Sequence, residues 1–248
     1  MDLNKGLLNE CILPLLSNET EYMIAFAICV FVSVVVAYLL GSINSAIIVS
    51  RVIYHDDIRR HGSGNAGLTN TLRTYGKRAA LFTLIGDMLK TALSIFIAGL
   101  LLGFGYEMGM SYNEGWCYLA ALASVIGHIF PVYYGFKGGK GVLSTATAAL
   151  ILTPVIFLIL LLLFVGIVAL SKYVSLGSIS VAALYPVAVS AQIMIFFPVM
   201  HGILATSVIA LAILIIWCHR GNIQRIYDGT ERKLSFKKKD VEVKEETK

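Results

Sequence analysis

Residues 142–170 read VLSTATAALILTPVIFLILLLLFVGIVAL. A helix needs roughly 20 apolar residues to cross a hydrocarbon core of about 30 Å. This stretch has 29, and Pro154 divides it into 12 residues before it and 16 after it. As one kinked helix it crosses a membrane once. As two short helices it crosses and returns, and each leg is shorter than an ordinary span. The choice decides on which side of a membrane everything after residue 170 lies.

The surroundings make a membrane the right frame. Of the 248 residues, 57% are hydrophobic and 14% charged, with a mean hydropathy of +0.79. Such a balance reads as a polytopic membrane protein. Further apolar runs cover Tyr22–Leu40, whose helix extends past Gly41 and Ser42 to about Ile53, then Ala79–Phe104 and Trp116–Tyr134. After the opening stretch come Ser175–Phe197 and Val199–Trp217, broken at Pro198. Trp116, Tyr118, Tyr133 and Tyr134 lie near the ends of their run, where amphipathic rings favour the headgroup level. Cys11, Cys29, Cys117 and Cys218 lie in or beside apolar runs without paired spacing, so they read as small hydrophobes. Met1–Thr20 carries Asp2, Glu10 and Glu19 and lacks the pattern of a cleaved signal peptide.

Charge placement resolves the divided stretch, because loops rich in lysine and arginine stay on the cytoplasmic side. With two legs, Arg51, Arg59, Arg60, Arg73, Lys77, Arg78, Lys137, Lys140, Lys172 and the nine basic residues after Trp217 all fall inside. They are 18 of the 20 lysines and arginines; Lys5 is outside and Lys90 lies within a span. One kinked helix would put Lys172 and the tail outside. The expected architecture is therefore all-α, a polytopic integral membrane protein with seven transmembrane helices, N-terminus outside and C-terminus cytoplasmic. Residues 1–236 form a single domain, and 237–248 a charged cytoplasmic tail expected to be disordered.

The polar loops carry the chemistry. Gly135-Phe136-Lys137-Gly138-Gly139-Lys140-Gly141 combines bendable backbone, exposed N–H groups and fixed positive charge, which suits an anion. It is not a Walker A loop, because GxxxxGK[ST] is absent. Residues 61–70, HGSGNAGLTN, are equally dense in glycine and short polar side chains. Ser63, Asn65, Thr69 and Asn70 offer hydrogen bonds, and Arg73 a bidentate charge. Lys172 to Ser178 form a short turn with two hydroxyls, and His219 and Asn222 share a face of a helical turn leaving the last span. Asp87 and Lys90, spaced i, i+3 inside the second span, read as a self-neutralising pair supporting these loops. Five positions after His55, His61, His128, His201 and His219 stand Arg60, Ala66, Tyr133, Thr206 and Gln224, so the His-x4-Asp dyad of many membrane acyltransferases is absent. No HExxH or other metal-ligand spacing appears, and neither a metal nor a cofactor is expected. The same basic loops suit an organic-phosphate transporter, but apart from Asp87 and Lys90 the spans carry almost no charge to line a polar path.

Taken in order, LLGSINSAIIVSR, IRRHGSGNAGLTNTLRTYGKRAALFTLIGDMLK, GHIFPVYYGFKGGKGV, KYVSLGS and HRGNIQRIYDGTE resemble the acyl-phosphate-dependent glycerol-3-phosphate acyltransferases of bacterial membranes, the PlsY family. The resemblance runs from about residue 37 to 234. Asn44 stands where the family usually has proline, Leu68 where it has alanine, and Leu143-Ser144 where Ala-Thr is common; the polar positions are kept. The resemblance implies transfer of a fatty acyl group from acyl phosphate to the 1-hydroxyl of glycerol 3-phosphate, giving lysophosphatidic acid and inorganic phosphate in phospholipid synthesis. It implies that Ser63, Arg73 and Lys140 hold the acceptor's phosphate and His219 and Asn222 its glycerol, with a base role for His219 left open. Asn65, Thr69, the backbone around Gly138 and Gly139, and Ser178 then bind the donor, with Asn70 grouped among the substrate-binding residues. The expected partners are the two substrates, membrane lipid and an upstream enzyme that forms acyl phosphate, with no nucleic acid.

Overall fold

The computed structural model describes residues 6–103, 114–196 and 202–234. The loop around Glu107, the break at Pro198 and the 237–248 tail lie outside the described residues. Ten α-helices and no strand occur among the described residues. They are α1 (Glu19–Gly41), α2 (Ser45–Tyr54), α3 (Leu68–Tyr75), α4 (Lys77–Leu102), α5 (Glu114–Ile129), α6 (Val142–Leu152), α7 (Pro154–Ser171), α8 (Val174–Phe196), α9 (Gly202–Cys218) and α10 (Arg220–Tyr227).

Local chemistry sets several of these boundaries. Asn18 caps α1 by accepting from the Glu21 N–H at 3.0 Å, and Glu19 and Glu21 lie in the positive first turn. The first apolar run does not continue unbroken to Ile53. It ends at Gly41 and restarts at Ser45, because Asn44 caps α2 through the Ile47 N–H at 3.1 Å. The Asn44 amide also donates to the Ala66 carbonyl at 3.2 Å, tying this corner to the first glycine-rich loop. That loop contains the eight-residue helix α3. In the opening stretch only Thr153 separates α6 from α7, and Pro154 takes the first position of α7, where a missing N–H costs no helix bond. The third apolar run is helical only to Ile129, beyond which Pro131 leads into a single 3-10 turn over Val132–Tyr134.

Five segments are long and apolar enough to cross a bilayer, or six if α9 and α10, bent by 52°, count as one. With 11 residues α6 spans about 16 Å, roughly half a hydrocarbon core. α5 lies at the centre, packed against α1, α4, α6 and α9. Sixty-seven per cent of its segment is buried, against 11% for the α1–α2 segment, whose Ile24, Ile28 and Phe31 face outward. Lipid is as apolar as leucine, so close approach of small residues holds such helices together. Ala37, Ala98, Ala120 and Ala123 form the α1–α4–α5 seam. Gly41 and Gly127 lie so close to facing backbone that a Cβ on either would collide with it. This packing brings the ends of α1, α5 and α9 and the starts of α3 and α6 to one end of the bundle.

Candidate active site

Side chains hold the first polar loop. Arg59 pairs with Asp57 at 2.7 Å, and its Nη1 donates to the carbonyls of Tyr134 (2.9 Å) and Lys137 (3.2 Å), stitching the first loop to the second. Asn70, in the first turn of α3, reaches back into the loop. Its Oδ1 accepts from the Ser63 N–H at 3.0 Å, and its Nδ2 donates to the carbonyls of His61 (2.9 Å), Asn65 (3.1 Å) and Ile58 (3.3 Å). Asn70 is thus buried with its amide committed to the scaffold. By contrast the side chains of Ser63, Asn65 and Thr69 have no protein hydrogen-bond partner among the described residues, and the N–H groups of Leu68, Thr69 and Asn70 at the start of α3 are equally free.

The second loop closes on itself. The Gly138 N–H donates to the Ile129 carbonyl (3.1 Å) and the Gly139 N–H to the His128 carbonyl (3.0 Å), so neither is free for a ligand. The free donors come next: the N–H groups from Lys140 to Ser144, at the start of α6, have no acceptor among the described residues. The hydroxyls of Ser144 and Thr145 are buried there, likewise without a protein partner. Gly139 lies against the first loop, where a Cβ would come within 2.7 Å of the Ala66 carbonyl. The segments leading into α3 and α6 therefore touch at Ala66 and Gly139, which brings two sets of free N–H groups and two positive helix ends close to each other, an arrangement suited to phosphate.

The third wall is the bend after α9. His219 Nδ1 lies 2.7 Å from the Ile215 carbonyl. A carbonyl only accepts, so Nδ1 carries the proton and Nε2 presents a lone pair. Burial, reinforced by the nearby Lys140 charge, pushes His219 down to about 4, so the ring is neutral at pH 7. One turn on, Asn222 Oδ1 accepts from Lys140 Nζ while its Nδ2 donates to Glu231 at 2.6 Å. Glu231 also accepts from Ser175 Oγ (2.7 Å) and Arg225 Nε (2.8 Å). Burial pushes the Glu231 carboxyl up, but these three hydrogen bonds outweigh it and hold the group below its ordinary value. Burial first, then the Arg225 guanidinium, bring Lys140 down to about 8 against the pull of Glu231. Arg73 is near enough for its charge to act on Lys140, and its Nη2 lies 3.4 Å from the Arg232 carbonyl.

Arg73, Lys140, His219 and Asn222 thus surround one position, with Ser63, Asn65 and Thr69 on the adjoining loop. Ser178 is apart from this group: it is buried in α8 with its hydroxyl on the Val174 carbonyl at 2.9 Å, and Ser175, one turn earlier, is the residue that reaches the site through Glu231. The assembly offers cations and N–H donors for phosphate beside a neutral imidazole acceptor for a hydroxyl.

The sequence profile of the family described as glycerol-3-phosphate acyltransferase matches residues 31–229. The chain belongs to the glycerol-3-phosphate acyltransferase family. It is 42% identical over 209 residues to a glycerol-3-phosphate acyltransferase of Clostridioides difficile (strain 630), covering 82% of this chain and 95% of that one. It is 40% identical over 207 residues to that of Halalkalibacterium halodurans, covering 83% and 95%. Among solved structures it is similar to the crystal structure of PlsY (YgiH), an integral membrane glycerol 3-phosphate acyltransferase, in its glycerol 3-phosphate form. The TM-score is 0.70 at 33% identity, over 83% of this chain and 96% of that one.

Three features of this acyltransferase escape a reading by residue type. Glu231 orients Asn222, yet it stands in a polar turn with no local pattern to set it apart. Arg59 reads as a topology charge and serves as the clamp between loops. The unpartnered hydroxyls of Ser144 and Thr145 look like ordinary helix residues; their one signal is a place just after GGKG.

Proposed function

We propose that the protein transfers a fatty acyl group from acyl phosphate to the 1-hydroxyl of glycerol 3-phosphate at the cytoplasmic face of a bacterial membrane. The convergence of Lys140 on Asn222, between Arg73, His219 and two helix starts with free N–H groups, carries this reading. Both substrates are anions that repel each other, and a site of preorganised cations and N–H donors lowers the cost of bringing them together. Ser63, Arg73 and Lys140 hold the acceptor's phosphate. His219 Nε2 and Asn222 orient its glycerol hydroxyls. Asn65, Thr69 and the N–H groups of Lys140 to Leu143 hold the donor's phosphate, while Gly138, Gly139 and Asn70 shape the loops that present them. Ser178 supports this wall from within α8.

The 1-hydroxyl oxygen attacks the acyl carbonyl carbon, forming the ester bond. The bond from that carbon to the phosphate oxygen breaks, and the departing phosphate takes the hydroxyl proton. An acyl phosphate is already activated, so no enzyme nucleophile is needed. The apolar helices α1 and α4–α9 supply seven crossings, the half-length α6 being completed by the 135–141 loop lying at membrane depth, with the N-terminus outside and the basic loops inside, and the fatty chain lies between spans. An acyl-phosphate-forming enzyme supplies the donor.

Purified protein given acyl phosphate and glycerol 3-phosphate is expected to release lysophosphatidic acid and inorganic phosphate in equal amounts, and to form no product from acyl-CoA. Equal turnover of acyl-CoA would overturn the donor assignment.

A further inference from the structure

Asp87, Lys90 and His128 are all nearly inaccessible, and none of them belongs to the site described above. Lys90 Nζ lies 2.8 Å from Asp87 Oδ1, 2.9 Å from the Ile43 carbonyl and 2.9 Å from His128 Nδ1. An ammonium has three protons and no lone pair. With Lys90 charged, its three neighbours are all acceptors, which makes His128 the neutral tautomer with its proton on Nε2, although Asp87 Oδ1 lies 3.7 Å from the same Nδ1. That edge of the ring faces Gly139: a Cβ there would meet Nε2 and Cε1 directly. The His128 carbonyl also accepts the Gly139 N–H at 3.0 Å. His128 thus grips Gly139 by ring and backbone together, and Lys140 is the next residue.

We propose that the Asp87–Lys90–His128 chain is a positioning device for the second loop. The ion pair anchored on α4 and on the end of α1 sets the ring of His128, the ring sets the Gly139 bend, and the bend sets both the Lys140 ammonium and the free N–H groups that open α6. Buried charge is costly in a membrane protein, and a pair needed for packing alone is replaceable by apolar residues. The inference rests on the reading that this loop serves both phosphates. It follows that disturbing the chain weakens both substrates together, whereas a wall residue such as Ser63 affects the acceptor alone.

The test uses full-length purified protein. Nitrogen-15 NMR of labelled histidine should show His128 as the Nε2–H tautomer; an Nδ1–H tautomer overturns the proposal without any mutation. The double variant Asp87→Leu/Lys90→Met removes the ion pair without leaving an unpaired charge, and His128→Gln removes the Nδ1 acceptor. In folded protein each is expected to raise KM for both substrates about three-fold or more and to lower kcat about ten-fold, the scale of a displacement of catalytic groups by a fraction of an ångström. Unchanged KM for both substrates, with loss only of thermal stability or active fraction, would reduce the chain to packing. Should Lys140→Ala leave activity intact while the tautomer is as stated, the reading of Lys140 fails and the relay geometry stands.

Discussion

The two glycine-rich loops, 61–70 and 135–141, look alike in composition but are built on opposite plans. In the first, one buried side chain, Asn70, gathers the backbone around the turns at Gly62 and Gly64, whose φ are 60° and 72°; Gly135 and Gly141 serve turns at the ends of the second loop in the same way. In the second, the central N–H groups close onto the end of α5, and Gly138 and Gly139 are glycine because other backbone lies against them. A glycine-rich loop near a phosphate site therefore does not reveal which of its donors are free. In and just after these two loops, the longest runs of consecutive free N–H groups among the described residues stand at the starts of α3 and α6, while Gly138 and Gly139 donate to the end of α5.

The sharpest break of this comparison exchanges a glycine for alanine in each loop. At Gly139 the new Cβ meets the ring of His128 and the Ala66 carbonyl, with no flexible side chain to yield. Gly139→Ala is expected to lower kcat/KM by about 10² or more, the scale of misplaced catalytic groups. At Gly64 the nearest atom is the Arg59 carbonyl at 3.4 Å, and the cost is that of a left-handed conformation, about 1–2 kcal/mol. Gly64→Ala should lower thermal stability while kcat/KM stays within about three-fold of wild type. Equal effects in steady-state kinetics would erase the distinction between the loops.

Next in size is Lys140→Ala. Removing a preorganised charge from a transition-state site costs about 10²–10³ in kcat. Phosphate release under saturating substrates should fall by that factor while circular dichroism and thermal stability are retained. A loss below about ten-fold would shift the phosphate site onto Arg73 and the α3 start.

A smaller pair of effects separates scaffold from wall within the first loop. Asn70→Ala strands the Ser63 N–H and several carbonyls, at a cost of about 1–3 kcal/mol of stability. Thr69→Ala leaves the scaffold whole and should raise the KM for acyl phosphate by about three- to ten-fold without changing thermal stability. Reversal of these outcomes, read by thermal denaturation in detergent and by KM, would return Asn70 to the substrate and place Thr69 in the scaffold.

Much of the helical framework is legible in residue order. The break at Pro154 into α6 and α7 follows from a proline in an overlong apolar run, and the loops carrying Arg59, Arg73 and Lys140 lie together. Arg73, Lys140, His219 and Asn222 meet, although they lie far apart in the chain, because each stands beside a helix end and those ends share one side. What residue types do not carry is the commitment of individual hydrogen-bonding groups. Asn70 and Asn65 are the same residue in the same loop, yet one is wholly bonded and the other free. The Gly138 and Gly139 N–H groups look as available as that of Lys140 until the loop folds onto Ile129 and His128. Ser178 and Ser175 are one helical turn apart, and only the register of α8 against Glu231 tells them apart.

The last expected effect is one of pH, and it isolates the second loop. In the first loop the candidate cation is an arginine, charged throughout the working range. In the second it is Lys140, brought down to about 8. A lysine with a lowered pKa is charged below that value and loses its proton as pH rises through it. The charged fraction thus falls from about nine-tenths at pH 7 to about one-tenth at pH 9, and kcat/KM should fall by about ten-fold over that interval. His219, at about 4, is neutral throughout and adds nothing there. Substrate phosphate, with a second pKa near 6, is already a dianion at pH 8. The Lys140→Arg variant keeps a charge at this position, so its alkaline limb should vanish even if its overall rate is lower. A limb that persists unchanged in Lys140→Arg would assign the titration to another group and leave the two loops electrostatically equivalent.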